Sequence, residues 1–288
     1  MTKKLLLIAL IIILNVKMVG QEMCNCNADL NFVIEKIEKE HPGFSINVTD
    51  KNIQQYKSLK DSLTTETNKA NLSKELCQKI IKKYISFIKD KHLQIYDPIV
   101  INEAEYQKNF AAKNLPQYKE LENETAYVKI PSFNYTLWKE LDNFYDSIAP
   151  IVKTKQKIIV DIRNNGGGGE RMYNQLLKIL KSNAKKIKIA VVYNNKCASA
   201  CEEVALILTE NKNIKTFGTN TNGGFAYGFI KEYKTPNCGF TFVSTTKKYT
   251  ERLQYEFVGV QPEFLLNNEK ESEWLKIVEK KLDELKLN

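Results

Sequence analysis

Histidine is nearly absent from this chain: His41 and His92 are the two in 288 residues. A zinc site built on histidine or closely spaced cysteine pairs is therefore not expected, and Cys24-Asn25-Cys26 is too tight for a finger-type knuckle. Long apolar runs are lacking too. Leu5 to Leu14 spans ten residues, about half of the ~20 that a membrane-crossing helix needs. The glycine run Gly166 to Gly169 is not followed by the Gly-Lys-Ser/Thr of a phosphate loop. Arg171 stands where a dinucleotide fingerprint places its third glycine. Nucleotide cofactors are thereby excluded, and no metal or organic cofactor is expected. There is no internal repeat, no low-complexity linker, and no small-residue lipobox before Cys24.

The amino terminus carries an address. Lys3-Lys4 precede the apolar run, Asn15 and Lys17 follow it, and a cut after Gly20 fits a secretory signal over residues 1–20. The mature protein is expected in the periplasm or outside the cell, with no stable membrane insertion. Losing Lys3, Lys4 and Lys17 lowers the net charge from +9 to +6. The remaining lysines are scattered along predicted helices, so a solvated surface rather than a nucleic-acid site is expected. Six cysteines in an oxidising compartment predict disulfides. The pairings favoured are Cys24 or Cys26 with Cys77, and Cys197 or Cys201 with Cys238.

Residues 21–90 read as a small helical domain. Leu30, Val33, Ile34 and Ile37 follow helical spacing until His41-Pro42-Gly43. Residues 43–48 read as extended, and 54–63 and 73–88 as further helices. Residues 93–96 read as a strand and 97–122 as irregular. The core, 91–270, alternates strands at 126–130, 157–162, 187–193 and 214–217 with helices at 135–148, 170–182 and 199–210. That order implies an α/β fold with parallel strands and right-handed crossovers. A glycine- and asparagine-rich loop, 218–228, precedes a hairpin, and 271–288 closes as a helix on the core.

Two strand ends carry the chemistry. Ile158-Ile159-Val160 leads through Asp161 and Arg163 into four consecutive glycines. Four glycines cost conformational entropy that a turn alone would not require. They fit a loop whose bare N–H groups face a substrate, as in an oxyanion hole. Ile189-Ala190-Val191-Val192 leads to Cys197-Ala198-Ser199-Ala200-Cys201. The flanking alanines leave space around the Ser199 hydroxyl at the start of a helix, where N–H dipoles favour a developing anion. Glu202 and Glu203 read as first-turn acids that complement the dipole. Asp161 and Arg163 read as supports for the glycine loop.

Asp161-Ile-Arg163-Asn-Asn165-Gly-Gly-Gly resembles the D-x-R-x-N-G-G-G signature of the carboxyl-terminal processing (tail-specific) serine peptidases. Cys197-Ala-Ser199-Ala-Cys201-Glu202 is similar to their S-A-S-A-S-E nucleophile stretch. The strand Tyr127 to Phe133 and the turn Gly259-Val260-Gln261-Pro262-Glu263 follow the family order. The resemblance covers about residues 90–265. It implies a crotonase/ClpP-like spiral α/β core, Ser199 as nucleophile, and an oxyanion hole from Gly166 or Gly167 with Ala200. Only residues 93–125 separate His92 from the Ala126 strand, too few for an inserted PDZ domain of about 50 residues or more.

The base departs from the tail-specific pattern, because loop 218–228 contains no lysine; Lys215 and Lys231 lie outside it. The tricorn-core branch of the superfamily uses a histidine with a late glutamate instead, and those positions match His92 and Glu256. Lys91 and Ala200 differ from that branch at the neighbouring positions. Glu251 is the nearest competitor of Glu256. The expectation is a serine-type peptidase acting on peptide or protein substrates through Ser199, His92 (or a lysine) and Glu256. The alternative is an inactive member of the fold that binds a peptide or an apolar ligand.

Overall fold

Helices gather at the amino-terminal end of the computed structural model, which describes residues 22–69, 72–98, 102–122 and 124–285. The expected signal segment, 1–20, lies outside the described residues. After a two-residue strand β1 (Met23–Cys24), α1 (Cys26–Glu40) starts at Asn25, whose side chain accepts the Ala28 N–H. It buries Leu30, Val33, Ile34 and Ile37, the face that the helical spacing predicts. The stretch read as extended is instead a helical turn, α2 (Phe44–Asn47). The Gly43 carbonyl accepts the Ile46 and Asn47 N–H groups and the Asn47 side chain, so local capping wins over extension. Then come α3 (Ile53–Thr67), β2 (Leu72–Ser73), paired with β1, and α4 (Lys74–Ile85).

The stretch from 97 to 122, read as irregular, holds two further elements. After β3 (Gln94–Tyr96) the chain forms α5 (Glu103–Asn114) and β4 (Gln117–Leu121). α5 buries no residue, and β4 is an edge strand exposed along most of its length, so neither leaves a hydrophobic period in the sequence.

The central sheet continues with β5 (Thr125–Lys129), α6 (Trp138–Val152), β6 (Lys157–Asp161) and α7 (Arg171–Asn183). It is completed by β7 (Lys188–Tyr193), α8 (Ala200–Thr209) and β8 (Ile214–Gly218). A hairpin of β9 (Tyr227–Lys234) and β10 (Thr241–Lys248) follows, then β11 (Phe264–Leu265) and α9 (Trp274–Glu284). Strand order is β11-β8-β7-β6-β5-β4, parallel except for β4 against β5. Val128, Val160, Val191 and Thr216 lie in one row across it. Side chains alternate faces along each strand. Val128, Ile158, Val160 and Val191 pack towards α6, α7 and α8, while Ile159, Ala190, Val192 and Phe217 pack on Trp274, Val278 and Leu282 of α9.

The hairpin joins the helical end rather than the central sheet. It pairs with β3 in the order β3-β10-β9, and Cys238, Phe240 and Phe242 are buried among side chains of α1, α3 and α4. The disulfides reflect this. Cys26 pairs with Cys77, one of the expected alternatives, but Cys238 pairs with Cys24 and not with Cys197 or Cys201. Asp29 fixes the hairpin turn on α1 by accepting the Thr235 hydroxyl at 2.7 Å and the Asn237 and Cys238 N–H groups at 2.8 Å. Cys197 and Cys201, four residues apart at the start of α8, pair with each other.

Candidate active site

Tyr193 ends β7, and six residues later Ser199 opens α8 with φ 54° and ψ −120°. A non-glycine residue is rarely held there, and such strain persists only where its surroundings over-determine it. Two devices do so here. The Cys197–Cys201 disulfide closes the stretch around the serine. Glu202, fully buried, accepts the Ser199 N–H at 2.9 Å. It also accepts the Gly224 N–H at 2.8 Å, the Gly223 N–H at 2.5 Å and the Thr221 hydroxyl at 2.7 Å. The residue read from sequence as a first-turn acid therefore ties loop 218–228 to the elbow.

The glycine loop packs against the same elbow. Asn165 organises it: its amide donates to the Ile130 carbonyl, its Oδ1 accepts the Gly167 N–H at 2.8 Å, and its carbonyl accepts the Ala198 N–H at 3.0 Å. A Cβ on Gly167 would lie 2.6 Å from the Ala198 oxygen and 3.0 Å from Ser199 Cβ, and one on Gly168 would lie 1.7 Å from the Phe133 oxygen. Asp161 accepts Arg163 through both carboxylate oxygens, and also the Tyr127 hydroxyl at 2.8 Å, supporting the strand end from which the loop springs.

His92 reaches the elbow from the turn between α4 and β3. A cavity of about 610 Å³ is lined by His92, Ser199, Ala200, Gly168 and Gly169, with Phe225, Tyr227, Phe229 and Tyr249 among its other walls. The His92 Nδ1–H donates to Asp90 Oδ1 at 3.2 Å, and the His92 backbone N–H donates to the same oxygen at 2.8 Å. Burial pulls the imidazole down, but the hydrogen bond and charge of Asp90, with Glu256 and Glu202 behind, carry its pKa above the ordinary value. Burial alone would raise Asp90; the hydrogen bonds from His41, His92 and Thr245 outweigh it and hold the carboxyl far below its usual range.

A serine in a strained strand-to-helix elbow, an imidazole with a carboxylate behind it, and a glycine loop share one cavity. Residues 124–180 and 169–266 match peptidase family S41. The chain belongs to that family. No curated protein sequence matches it. Among solved structures it is similar to a lipoprotein from Streptococcus agalactiae, with 17% identity, TM-score 0.59, and 90% of this chain and 96% of that one covered. It is similar to the photosystem II D1 C-terminal processing protease, with 12% identity, TM-score 0.51, and 84% and 93% covered. It is also similar to mature CPAF, with 10% identity, TM-score 0.57, and 90% and 95% covered. At these identities the likeness is one of fold.

In this S41 chain the residues expected from sequence are placed unevenly around the cavity. Ser199, His92 and Ala200 line it together. Gly166 faces open space, and the Gly167 N–H is already bonded to Asn165. Of the four loop glycines, Gly168 and Gly169 border the cavity, and the Gly169 N–H is already bonded to the Phe133 carbonyl at 3.0 Å. Glu256 does not hydrogen-bond His92: its carboxylate accepts the Lys91 N–H at 3.1 Å and the Ala226 N–H at 3.0 Å. Burial, offset in part by those two N–H groups, raises its pKa. Asp90, two residues before His92, takes the ring nitrogen instead. Its signal in the sequence was Asp90-Lys91-His92 itself, since a carboxylate two residues back is within reach of Nδ1. Lys215 pairs with Glu263 at 2.8 Å and Lys231 lies 3.7 Å from Glu40; neither lines the cavity.

Proposed function

We propose that this S41 chain is an exported serine peptidase. The observation that carries the reading is Ser199, held at positive φ, lining one cavity with His92, Gly168 and Ala200. Ser199 Oγ attacks a peptide carbonyl while His92 takes its proton. The N–H groups of Gly168 and Ala200 stabilise the oxyanion, and Gly166 and Gly167 shape the loop that presents them. The proton passes from His92 to the leaving amine. Water then attacks the acyl-enzyme, with His92 again as base, and releases Ser199. Asp90 fixes the His92 tautomer and stabilises the imidazolium. Glu256 holds the backbone beside His92 through the Lys91 N–H. Three disulfides support export. Among the described residues no helix is long and apolar enough to cross a membrane.

A second reading, an inactive member that binds a peptide or apolar ligand, is favoured by the aromatic lining of Phe225, Tyr227 and Phe229, and by the lack of any His92–Ser199 hydrogen bond among the described residues. Intact-mass spectrometry with a fluorophosphonate separates the two. One adduct on the wild type, absent in Ser199→Ala and slowed in His92→Ala between about pH 5 and 9, supports the peptidase. Absence of an adduct at every pH favours the binding protein. Amino-terminal sequencing of secreted or periplasmic protein tests the cut after Gly20.

A further inference from the structure

We infer that His41, which the peptidase reading leaves unused, is a positioning residue: through Asp90 it sets the orientation and tautomer of His92. The inference rests on that reading of Ser199 and His92, and deepens it.

The His41 side chain is completely buried at the end of α1. Its Nδ1 accepts the Gly43 N–H at 3.1 Å, so the ring proton resides on Nε2, which donates to Asp90 Oδ2 at 3.0 Å. The Thr245 hydroxyl of β10 donates to the same oxygen at 2.6 Å. Asp90 Oδ1 is left to the His92 backbone and ring N–H groups. The two oxygens thus have divided duties. One is gripped by α1 and β10, and the other is aimed at His92. A carboxylate held by two donors on one oxygen cannot turn about its bond to Cβ without breaking both.

This arrangement is expensive for a purely structural device. Asp90 is 4% exposed, and among the described residues it pairs with no lysine or arginine. A buried carboxylate compensated only by imidazole, hydroxyl and amide donors is costly, and an apolar side chain would fill the space at less cost. The network also touches the cavity wall. Tyr227 lies against the His41 ring at 5.3 Å between centroids, and a Cβ on Gly43 would meet the Tyr227 hydroxyl at 2.5 Å. His41-Pro42-Gly43 therefore does more than stop a helix: it seats a donor, fixes its tautomer through Gly43, and makes room for Tyr227. The titratable groups around His41 are Asp90 and Tyr227. Those around His92 are Asp90, Glu256 and Glu202, with Lys91 adjacent in the chain.

Two substitutions separate the bonds of His41. In His41→Gln the side-chain amide reaches as far as Nε2 and still donates to Asp90. In His41→Asn it reaches only as far as Nδ1, keeping the Gly43 contact and losing Asp90. Ring-nitrogen NMR titration of the mature protein reads His92 directly, since the chain has only two histidines. In His41→Asn, the His92 midpoint moves down, because burial acts with less opposition from Asp90. The limiting rate of fluorophosphonate labelling falls about tenfold or more, with reagent affinity unchanged. His41→Gln restores both.

An unchanged His92 titration in a folded His41→Asn protein, or equal impairment of the two variants, overturns the proposal. If His41→Asn does not fold, Thr245→Val removes the other donor to the same Asp90 oxygen and must move His92 in the same direction; no movement there overturns it as well. The NMR titration needs no turnover. A wild type that forms no adduct, with His92 still responding to His41, counts against the hydrolase reading alone.

Discussion

Ser199 donates its backbone N–H to Glu202, one turn into the helix that the serine itself opens, at 2.9 Å. The same buried carboxylate accepts from Thr221, Gly223 and Gly224. The strained backbone of Ser199 and loop 218–228 thus share one anchor. Glu202→Ala leaves three N–H groups and a hydroxyl without their partner, at about 1–3 kcal/mol for each that stays dry. The expected outcome is a fall in urea midpoint equivalent to at least about 3 kcal/mol, with loss of fluorophosphonate labelling. Unchanged stability would show that the anchor is dispensable.

The four glycines are not equivalent. Gly166→Ala places its methyl in open space at ordinary φ, so near wild-type stability and labelling within about threefold are expected. Gly168 has φ 145°, and its added Cβ would lie 1.7 Å from the Phe133 oxygen. Gly168→Ala is expected to abolish labelling and to lower the melting temperature, since the loop must move off the strand end. Comparing the two variants by calorimetry and labelling checks the difference; similar behaviour would contradict it.

The Cys197–Cys201 disulfide closes a very short loop, for which the chain-entropy account gives about 2 kcal/mol. Its larger effect is expected at Ser199, which it brackets. In the double variant Cys197→Ala, Cys201→Ala, labelling should slow about tenfold or more, while unfolding shifts by roughly that 2 kcal/mol. Wild-type labelling in the double variant would place the restraint entirely on Glu202.

The raised pKa of His92 gives the labelling profile its sign. On the proposed reading His92 acts as base when neutral, so labelling is expected to rise with pH through a midpoint above about 6.5. Asp90→Asn removes the opposing charge and leaves burial, which lowers His92. The midpoint then shifts down, and the limiting rate drops about 1,000-fold or more.

Stability follows from the same pair. His92, raised in the folded state, contributes fully below about pH 6.5 and loses its contribution as pH rises through the folded value. Asp90, depressed in the folded state, contributes above about pH 3.9 and loses that contribution as pH falls towards the folded value. The advantage of the wild type over Asp90→Asn should peak between about pH 4 and 6.5, measured by urea unfolding. An advantage that grew from pH 7 to 9 would have the wrong sign.

Much of the fold was legible because burial repeats locally. β6 and β7 are apolar runs, α7 and α8 show helical spacing, and all four form as read. α5 and β4 were missed for the converse reason, having little or no buried face to imprint a period. At the site, residues 199 and 92 stood out by type and context, and the structure brings them to one cavity. Asp90 and Glu256 both lie near His92 in the fold, but hydrogen-bond geometry assigns the ring nitrogen to the first and a backbone N–H to the second.

The sequence by itself determined the alternation of strands and helices, the serine at a strand-to-helix elbow and the glycine loop beside it, because those depend on residues close together in the chain. Tertiary structure alone decided that Cys24 meets Cys238 across 214 residues, and that Glu202 bonds loop 218–228. It also decided that His41 and Thr245 grip the far oxygen of Asp90. Such pairings depend on where packing brings distant segments together, and a buried polar group takes whichever donor that packing supplies.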